Sequence, residues 1–167
     1  MSTEGIYRKP GGASQIQTIK DGFEASTSQT REISDPDLDI HAVSSTLKQY
    51  LRRLPQPLVT FDVYDQLLET APMSNVEAKI EAQARAISEL PRVHRDVLEF
   101  LMFHLHRVVE HEKENLMTSM NMAVVFAPTI MRPESLTREV TDTQVKNEAV
   151  QFLVEHCQAV FGGTQSS

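Results

Sequence analysis

The stretch Leu47-Lys48-Gln49-Tyr50-Leu51-Arg52-Arg53-Leu54-Pro55-Gln56-Pro57-Leu58 narrows the possible folds more than any other part of this chain. Upstream and through it, Ile40, Val43, Leu47, Leu51 and Leu54 recur at steps of three and four, the apolar stripe of one helix. Beside that stripe run His41, Ser45, Lys48 and Arg52. Lys48 and Arg52 are one turn apart, so their cationic heads share a face. Pro55 and Pro57 cannot continue a helix, and Pro55 biases Leu54 away from helical dihedrals. The segment predicts a helix with a buried back, a cationic front and a fixed exit. A plain solvated face carrying two unrelated charges has the same pattern.

The rest of the chain is read with the same period. Residues 1–12 form a loop punctuated by Gly5, Pro10, Gly11 and Gly12, with Arg8 its most interesting side chain. An arginine on such a loop is ordinarily just solvated. A functional role requires an exposed guanidinium that can reach into another protein. Ser14 is a candidate N-cap for a short helix bearing Ile16, Ile19 and Phe23. Residues 21–39 read as a polar connecting loop with a turn at 34–37, and Asp39 as a cap for the helix above. Thr60 can cap a helix over about 61–70 with Tyr64, Leu67 and Leu68 inward. Ser74 and Glu77 have capping-box spacing ahead of Val76, Ile80, Ala84 and Ile87. After Leu90-Pro91, Val97, Leu98, Leu101, Met102, Leu105, Val108 and Val109 form a stripe wide enough for a central helix. Thr118 can cap a helix with Met122, Val125 and Phe126 that ends before Pro128. Asn121 stands in this apolar element, either as a satisfied half-buried amide or as a site residue. A last helix is expected over about 142–161, ended by Gly162-Gly163. About seven helical segments and no alternating strand predict an all-α, single helical bundle domain.

Composition removes several function classes. At 167 residues and 40% hydrophobic the chain can bury one core. It has no apolar run of about 18 residues and hence no expected membrane span. The net charge of −7 argues against general affinity for nucleic acid or anionic lipid. The single Cys157 cannot form an internal disulfide and suits a reducing, cytoplasmic setting. His104 and His106 are two apart and point to opposite sides of a helix, and His111 is poorly aligned with either, so a shared metal ion is not supported. No hydrolase, metalloprotease or P-loop motif is present. The remaining set is a loop arginine, a lysine–arginine pair and an asparagine. It suits a protein that completes another enzyme's active site.

Three segments carry a resemblance. LKQYLRRLPQPL is similar to the K-x-x-L-R-x-L-P-x-P-L signature of Rho GTPase-activating protein (Rho-GAP) domains. Gly5-Ile6-Tyr7-Arg8, followed by Gly11-Gly12, resembles their arginine-finger loop. Asn121-Met122-Ala123-Val124-Val125-Phe126-Ala127-Pro128-Thr129 resembles their N-L-A-x-V-F-G-P-[NT] helix and exit. The resemblance implies a Rho-GAP-type bundle over residues 1–163 with a frayed tail at 164–167. It implies that Arg8 is an arginine finger inserted in trans. Lys48 and Arg52 would then be the pair that contacts the GTPase and braces the finger loop, and Asn121 the asparagine that touches the switch region. The partner is a Rho-family small GTPase in its GTP-bound form, which brings the nucleotide and magnesium, so no cofactor is expected in this chain. The expected setting is cytoplasmic, with recruitment to membranes through the partner or other domains. Two departures from the family stand out: only Met1–Glu4 precede the finger loop where the family has a helix, so an N-terminally truncated domain is expected, and Ala127-Pro128-Thr129 replaces the commoner G-P-N. The competing readings are a Rho-GAP-like module that binds GTPases or other signalling proteins with weak or no catalysis, and an unrelated helical hydrolase or metal protein.

Overall fold

A computed structural model describes residues 1–25 and 37–162. The Ser/Thr-rich centre of the 21–39 loop, Gly163 and the 164–167 tail lie outside the described residues. Among those described, the chain is all helical: α1 (Ala13–Glu24), α2 (Ile40–Arg53), α3 (Phe61–Glu69), α4 (Val76–Ser88), α5 (Arg92–Val109), α6 (Glu112–Asn115), α7 (Ser119–Ile130), α8 (Leu136–Thr141), α9 (Thr143–Glu155) and α10 (Cys157–Gly162). Ten helices replace the seven expected because three short ones, α6, α8 and α10, are too brief to show a period.

Local chemistry sets most of the ends. Asp39 caps α2 by accepting from the His41 N–H at 3.1 Å. Thr118 caps α7 through the Asn121 N–H at 3.1 Å. Asn75, not Ser74, caps α4, accepting from the Ala78 N–H at 2.8 Å. Gly12 rather than Ser14 occupies the N-cap of α1, so Ser14 lies inside the helix. Helix α7 does not stop before Pro128 but runs to Ile130. Pro128 lacks an N–H, yet the Met131 N–H closes the last turn on the Ala127 carbonyl at 2.9 Å, and Thr129 and Ile130 are buried. The expected last helix is broken at His156 (φ −115°, ψ 20°). There the imidazole stacks on Phe152 at 4.0 Å and its Nδ1 donates to the Phe152 carbonyl at 3.1 Å.

The core is built around α7 and α9, which pack along each other, with α5 against both. Leu98, Met102 and Leu105 of α5 meet Met122 and Phe126 of α7 and Val150 and Leu153 of α9 in one buried cluster. A smaller cluster of Ile16, Ile19 and Ala42 seats α1 on α2. Polar struts join the layers. Gln83 of α4 donates to the Ala149 carbonyl of α9 at 3.0 Å, and buried Lys79 donates to the Ala71 carbonyl at 2.8 Å.

Not every apolar stripe faces inward. On α2, Ile40 and Leu47 are exposed while Ala42, Ser44, Ser45 and Leu51 are buried, so the buried face is rotated towards the small residues. On α5, Val93, Val97 and Phe100 face outward, and the first two border a groove of about 340 Å³ with Tyr50, Leu54 and Pro55 of the α2 exit. Val76 of α4 is likewise exposed.

Burial, not residue type, decides the cost of truncation in this bundle. Leu105 is fully buried and Leu136 is 87% exposed. Leu105→Ala is expected to cost about 2–5 kcal/mol through lost contacts and a residual cavity. Leu136→Ala should stay within about 0.5 kcal/mol. Urea denaturation of both variants checks this, and equal midpoints would contradict the packing described.

Candidate functional site

The site is built from the N-terminal loop outward. Gly5 adopts a left-handed conformation (φ 67°) that glycine takes without a steric cost. Its N–H donates to the Asn115 carbonyl at 2.7 Å, and its carbonyl accepts from the Arg8 and Lys9 N–H groups, both at 2.9 Å. This closes a tight turn over residues 5–9. Tyr7 is also left-handed (φ 68°), which is rare for a bulky side chain. What holds it there is its ring. The ring is buried edge-on against Phe126 (5.1 Å between centroids) and His104 (5.7 Å), and its hydroxyl bonds His104 Nε2 at 2.6 Å. Burial pushes the Tyr7 hydroxyl up to about 12. Burial, with smaller contributions from Arg107 and the chain's N-terminal ammonium, pushes His104 down. The pair is therefore neutral, joined by one hydrogen bond between the phenol oxygen and Nε2. With Tyr7 turned inward, Arg8 is turned out. It is exposed, and among the described residues its guanidinium forms no hydrogen bond or ion pair.

Helix α2 forms the floor beneath this loop. The Lys48 ammonium donates to the Tyr7 carbonyl. It is only partly exposed, and burial first and the neighbouring Arg52 charge second lower its pKa. One turn towards the helix start, Ser45 Oγ accepts the Gly11 N–H at 3.0 Å. A Cβ at Gly11 would overlap the α2 backbone at Ala42, so glycine is needed for this close approach. Lys48 thus serves as an internal strut rather than part of an open cationic face. Arg52, one turn on, is exposed.

Asn121 sits in the first turn of α7, half-buried, and its side chain donates to the Leu116 carbonyl at 3.2 Å. Leu116 is left-handed (φ 59°) and follows Asn115. The structure therefore joins Arg8 and Lys48 through the loop, brings Arg52 beside Lys48, and links Asn121 to the loop by hydrogen bonds through Leu116 and Asn115. Sequence reasoning did not single out Asn115. A buried amide at the foot of a four-residue helix leaves no periodic signal. The α2 exit is held from elsewhere: Arg132 donates to the Leu54 carbonyl and His94 Nδ1 to the Pro57 carbonyl at 3.0 Å.

Other chemistry is not assembled. Among the described residues no group of three His, Cys, Asp or Glu side chains comes together. His106 Nδ1 donates to the Val154 carbonyl at 2.9 Å and His111 Nδ1 to that of Arg107 at 2.9 Å. Cys157 is buried, and burial raises its thiol pKa, the reverse of an activated nucleophile. Among the described residues no helix is long and apolar enough to cross a membrane.

A RhoGAP domain family model matches residues 1–135. The chain is 39% identical over 96% of its length to a probable Rho-type GTPase-activating protein 4 of Schizosaccharomyces pombe, covering 17% of that protein. It is 34% identical over 96% of its length to rat beta-chimaerin, covering 55% of it. It thus spans only part of these curated relatives. Among solved structures it superposes on the BH domain from GRAF, the GTPase regulator associated with focal adhesion kinase, with a TM-score of 0.85 at 29% identity, covering 96% of this chain and 85% of that one. Human Rho GTPase activating protein 15 gives a TM-score of 0.87 at 27% identity, covering 96% and 76%.

The buried phenol makes a pH prediction. Folded Tyr7 keeps its proton up to about 12, whereas an unfolded tyrosine releases it near about 10. Between those values the folded chain binds more protons, so stability falls as pH rises through that window. Tyr7→Phe is expected to cost about 0.5–1.5 kcal/mol at neutral pH through the lost hydrogen bond. The gap between wild type and variant should narrow above pH ~10, because only the wild type has this proton to lose. Urea denaturation across that range checks it. Parallel curves would show that the ring is not held in the core.

Proposed function

This chain belongs to the RhoGAP domain family, and from that premise we propose that it accelerates GTP hydrolysis by a Rho-family small GTPase in its GTP-bound form, by inserting Arg8 into the partner's active site. The observation that carries the reading is the pairing of a locked Tyr7 with an outward, unengaged Arg8 on one loop. In GTP hydrolysis negative charge spreads over the phosphoryl oxygens of the transition state. An arginine delivered by a second protein stabilises that charge and is worth roughly 10³–10⁵ in rate. A guanidinium suits this role because it is planar, ionised and able to donate in pairs. An arginine already paired within its own protein would have to break that pairing first, and Arg8 has none to break among the described residues.

In this reading Lys48 holds the loop from below, while Arg52 and Asn121 meet the GTPase around it. Nucleotide, magnesium and attacking water belong to the partner, so the chain acts as a regulator completing another enzyme's site and needs no cofactor of its own. The proposed setting is cytoplasmic.

The decisive experiment is single-turnover GTP hydrolysis by a panel of Rho-family GTPases with and without this chain. Arg8→Ala is expected to lose roughly 10³-fold of the stimulation, while affinity for the GTPase loaded with a GTP analogue changes by much less. Arg8→Lys should recover little, since an ammonium lacks the planar fork. Lys9, which pairs with Glu4 on the same loop at 3.0 Å, is the charge control. If no panel member is stimulated, or Arg8→Ala stimulates normally, the chain is a binding module instead.

A second set of variants separates strut from contact. Lys48→Ala should lower the saturated rate, because it releases the Tyr7 carbonyl behind the finger. Arg52→Ala should mainly weaken association, as loss of an exposed interfacial charge does. Arg92 of α5, 93% exposed in its side chain, is the charge control expected to change neither. Identical effects of Lys48→Ala and Arg52→Ala on rate and association would refute the division.

A further inference from the structure

We propose that Asn115 is a positioning residue for Arg8, fixing the finger loop to the start of α7, an inference that rests on the arginine-finger reading above. Asn115 is fully buried at the end of α6, and its polar groups are all engaged. Its backbone N–H donates to the His111 carbonyl at 3.0 Å, and its Oδ1 accepts the Met117 N–H at 2.8 Å. One Nδ2 bond goes to the Val108 carbonyl of α5 at 2.8 Å. Those bonds suffice to end a helix. The others serve the loop: Nδ2 also donates to the Met1 carbonyl at 2.9 Å, and the Asn115 carbonyl accepts the Gly5 N–H at 2.7 Å. The segment ahead of the finger is thus clamped at both ends by one residue.

The link runs on in two directions. The Gly5 carbonyl accepts the Arg8 N–H at 2.9 Å, so two hydrogen bonds separate Asn115 from the backbone of Arg8. On the other side Leu116, left-handed, offers its carbonyl to Asn121 Nδ2 at 3.2 Å. Asn115 therefore stands between the exposed arginine and the half-buried asparagine and sets their spacing. Only asparagine among the short side chains offers two donors and an acceptor at that reach. A buried amide with all its bonds made is stiff, because every displacement leaves a desolvated polar group unpaired. Stiffness at that point matters because misplacing a reacting group by about 1 Å costs on the order of 10²-fold in rate.

The test is a double-mutant cycle in single-turnover hydrolysis, with a GTP-loaded Rho-family GTPase that the wild type stimulates. Asn115→Ala is expected to lower the saturated stimulated rate by roughly 10–10²-fold while changing affinity for the analogue-loaded GTPase by less than about threefold. In the Arg8→Ala background the same substitution should lower the rate no further, since it acts through Arg8. Gly5→Ala reaches the same hydrogen bond from the loop side, straining a left-handed position outside the bundle core, and should show the same non-additivity. It also serves if Asn115→Ala does not fold. Multiplicative losses in the cycle, or a wild-type rate from either single variant, overturn the proposal while leaving the finger reading intact. Unchanged stimulation by Arg8→Ala alone overturns both.

Discussion

Everything proposed for the site depends on the burial of Tyr7. A left-handed, non-glycine residue costs on the order of 1–3 kcal/mol. Burying a large side chain returns about 1.5–3 kcal/mol, so the two nearly cancel. The balance is tipped by the groups that fit only this conformation: His104 Nε2 takes the hydroxyl, and the Lys48 ammonium takes the carbonyl. The backbone reversal then points residue 8 away from the core. Arg8 is thereby placed without a hydrogen bond or ion pair of its own side chain among the described residues.

The bundle beneath supplies the groups around the loop from three helices. His104 comes from α5, Phe126 and Asn121 from α7, and Ser45 and Lys48 from α2. Packing among the helices therefore becomes positional accuracy in the loop. Phe126 sits both in the central cluster and under the Tyr7 ring. A loosened α7 would shift the floor of the loop and the asparagine beside it together. The exit of α2 is pinned separately, with Arg132 and His94 holding its carbonyls and the Val59 N–H bonded to the Ile130 carbonyl at 3.0 Å, so the helix that carries Lys48 is fixed at its far end as well.

What the sequence made legible follows from the reach of its signals. The long helices, the caps at Asp39 and Thr118 and the stop at Pro55 rest on neighbours within a turn, and they are found. The all-α class follows from them. Arg8, Lys48, Arg52 and Asn121 are singled out through motif resemblance, which chemistry alone left open. The role of Lys48 as a strut was not legible from helical spacing, because it depends on a carbonyl 41 residues away. Asn115 was missed for the same reason, since its partners lie at Met1 and Gly5. The faces of α2 and α5 were misjudged where apolar spacing is correct but the neighbour is not there to cover it: Ile40, Leu47 and Val97 have the period of a core stripe and face outward.

The choice of cation at the two key positions follows from what each must do. At position 48 the charge works inward, reaching one carbonyl from beneath a loop in partly desolvated surroundings. A lysine does this with a single compact head on a flexible stem, whereas a guanidinium would bury further donors with no acceptors for them. The downward shift of its pKa, caused first by that desolvation and then by Arg52, marks the cost of the arrangement. In the proposed reading the charge at position 8 works outward, on oxygens spread around a phosphoryl group, where a planar fork of donors matches the target and a point charge does not. The net charge of −7 does not oppose this. At physiological salt, charges farther apart than about 8 Å are largely screened, so in the proposed reading an incoming GTPase responds to the exposed charges of Arg8 and Arg52 and not to the acidic total.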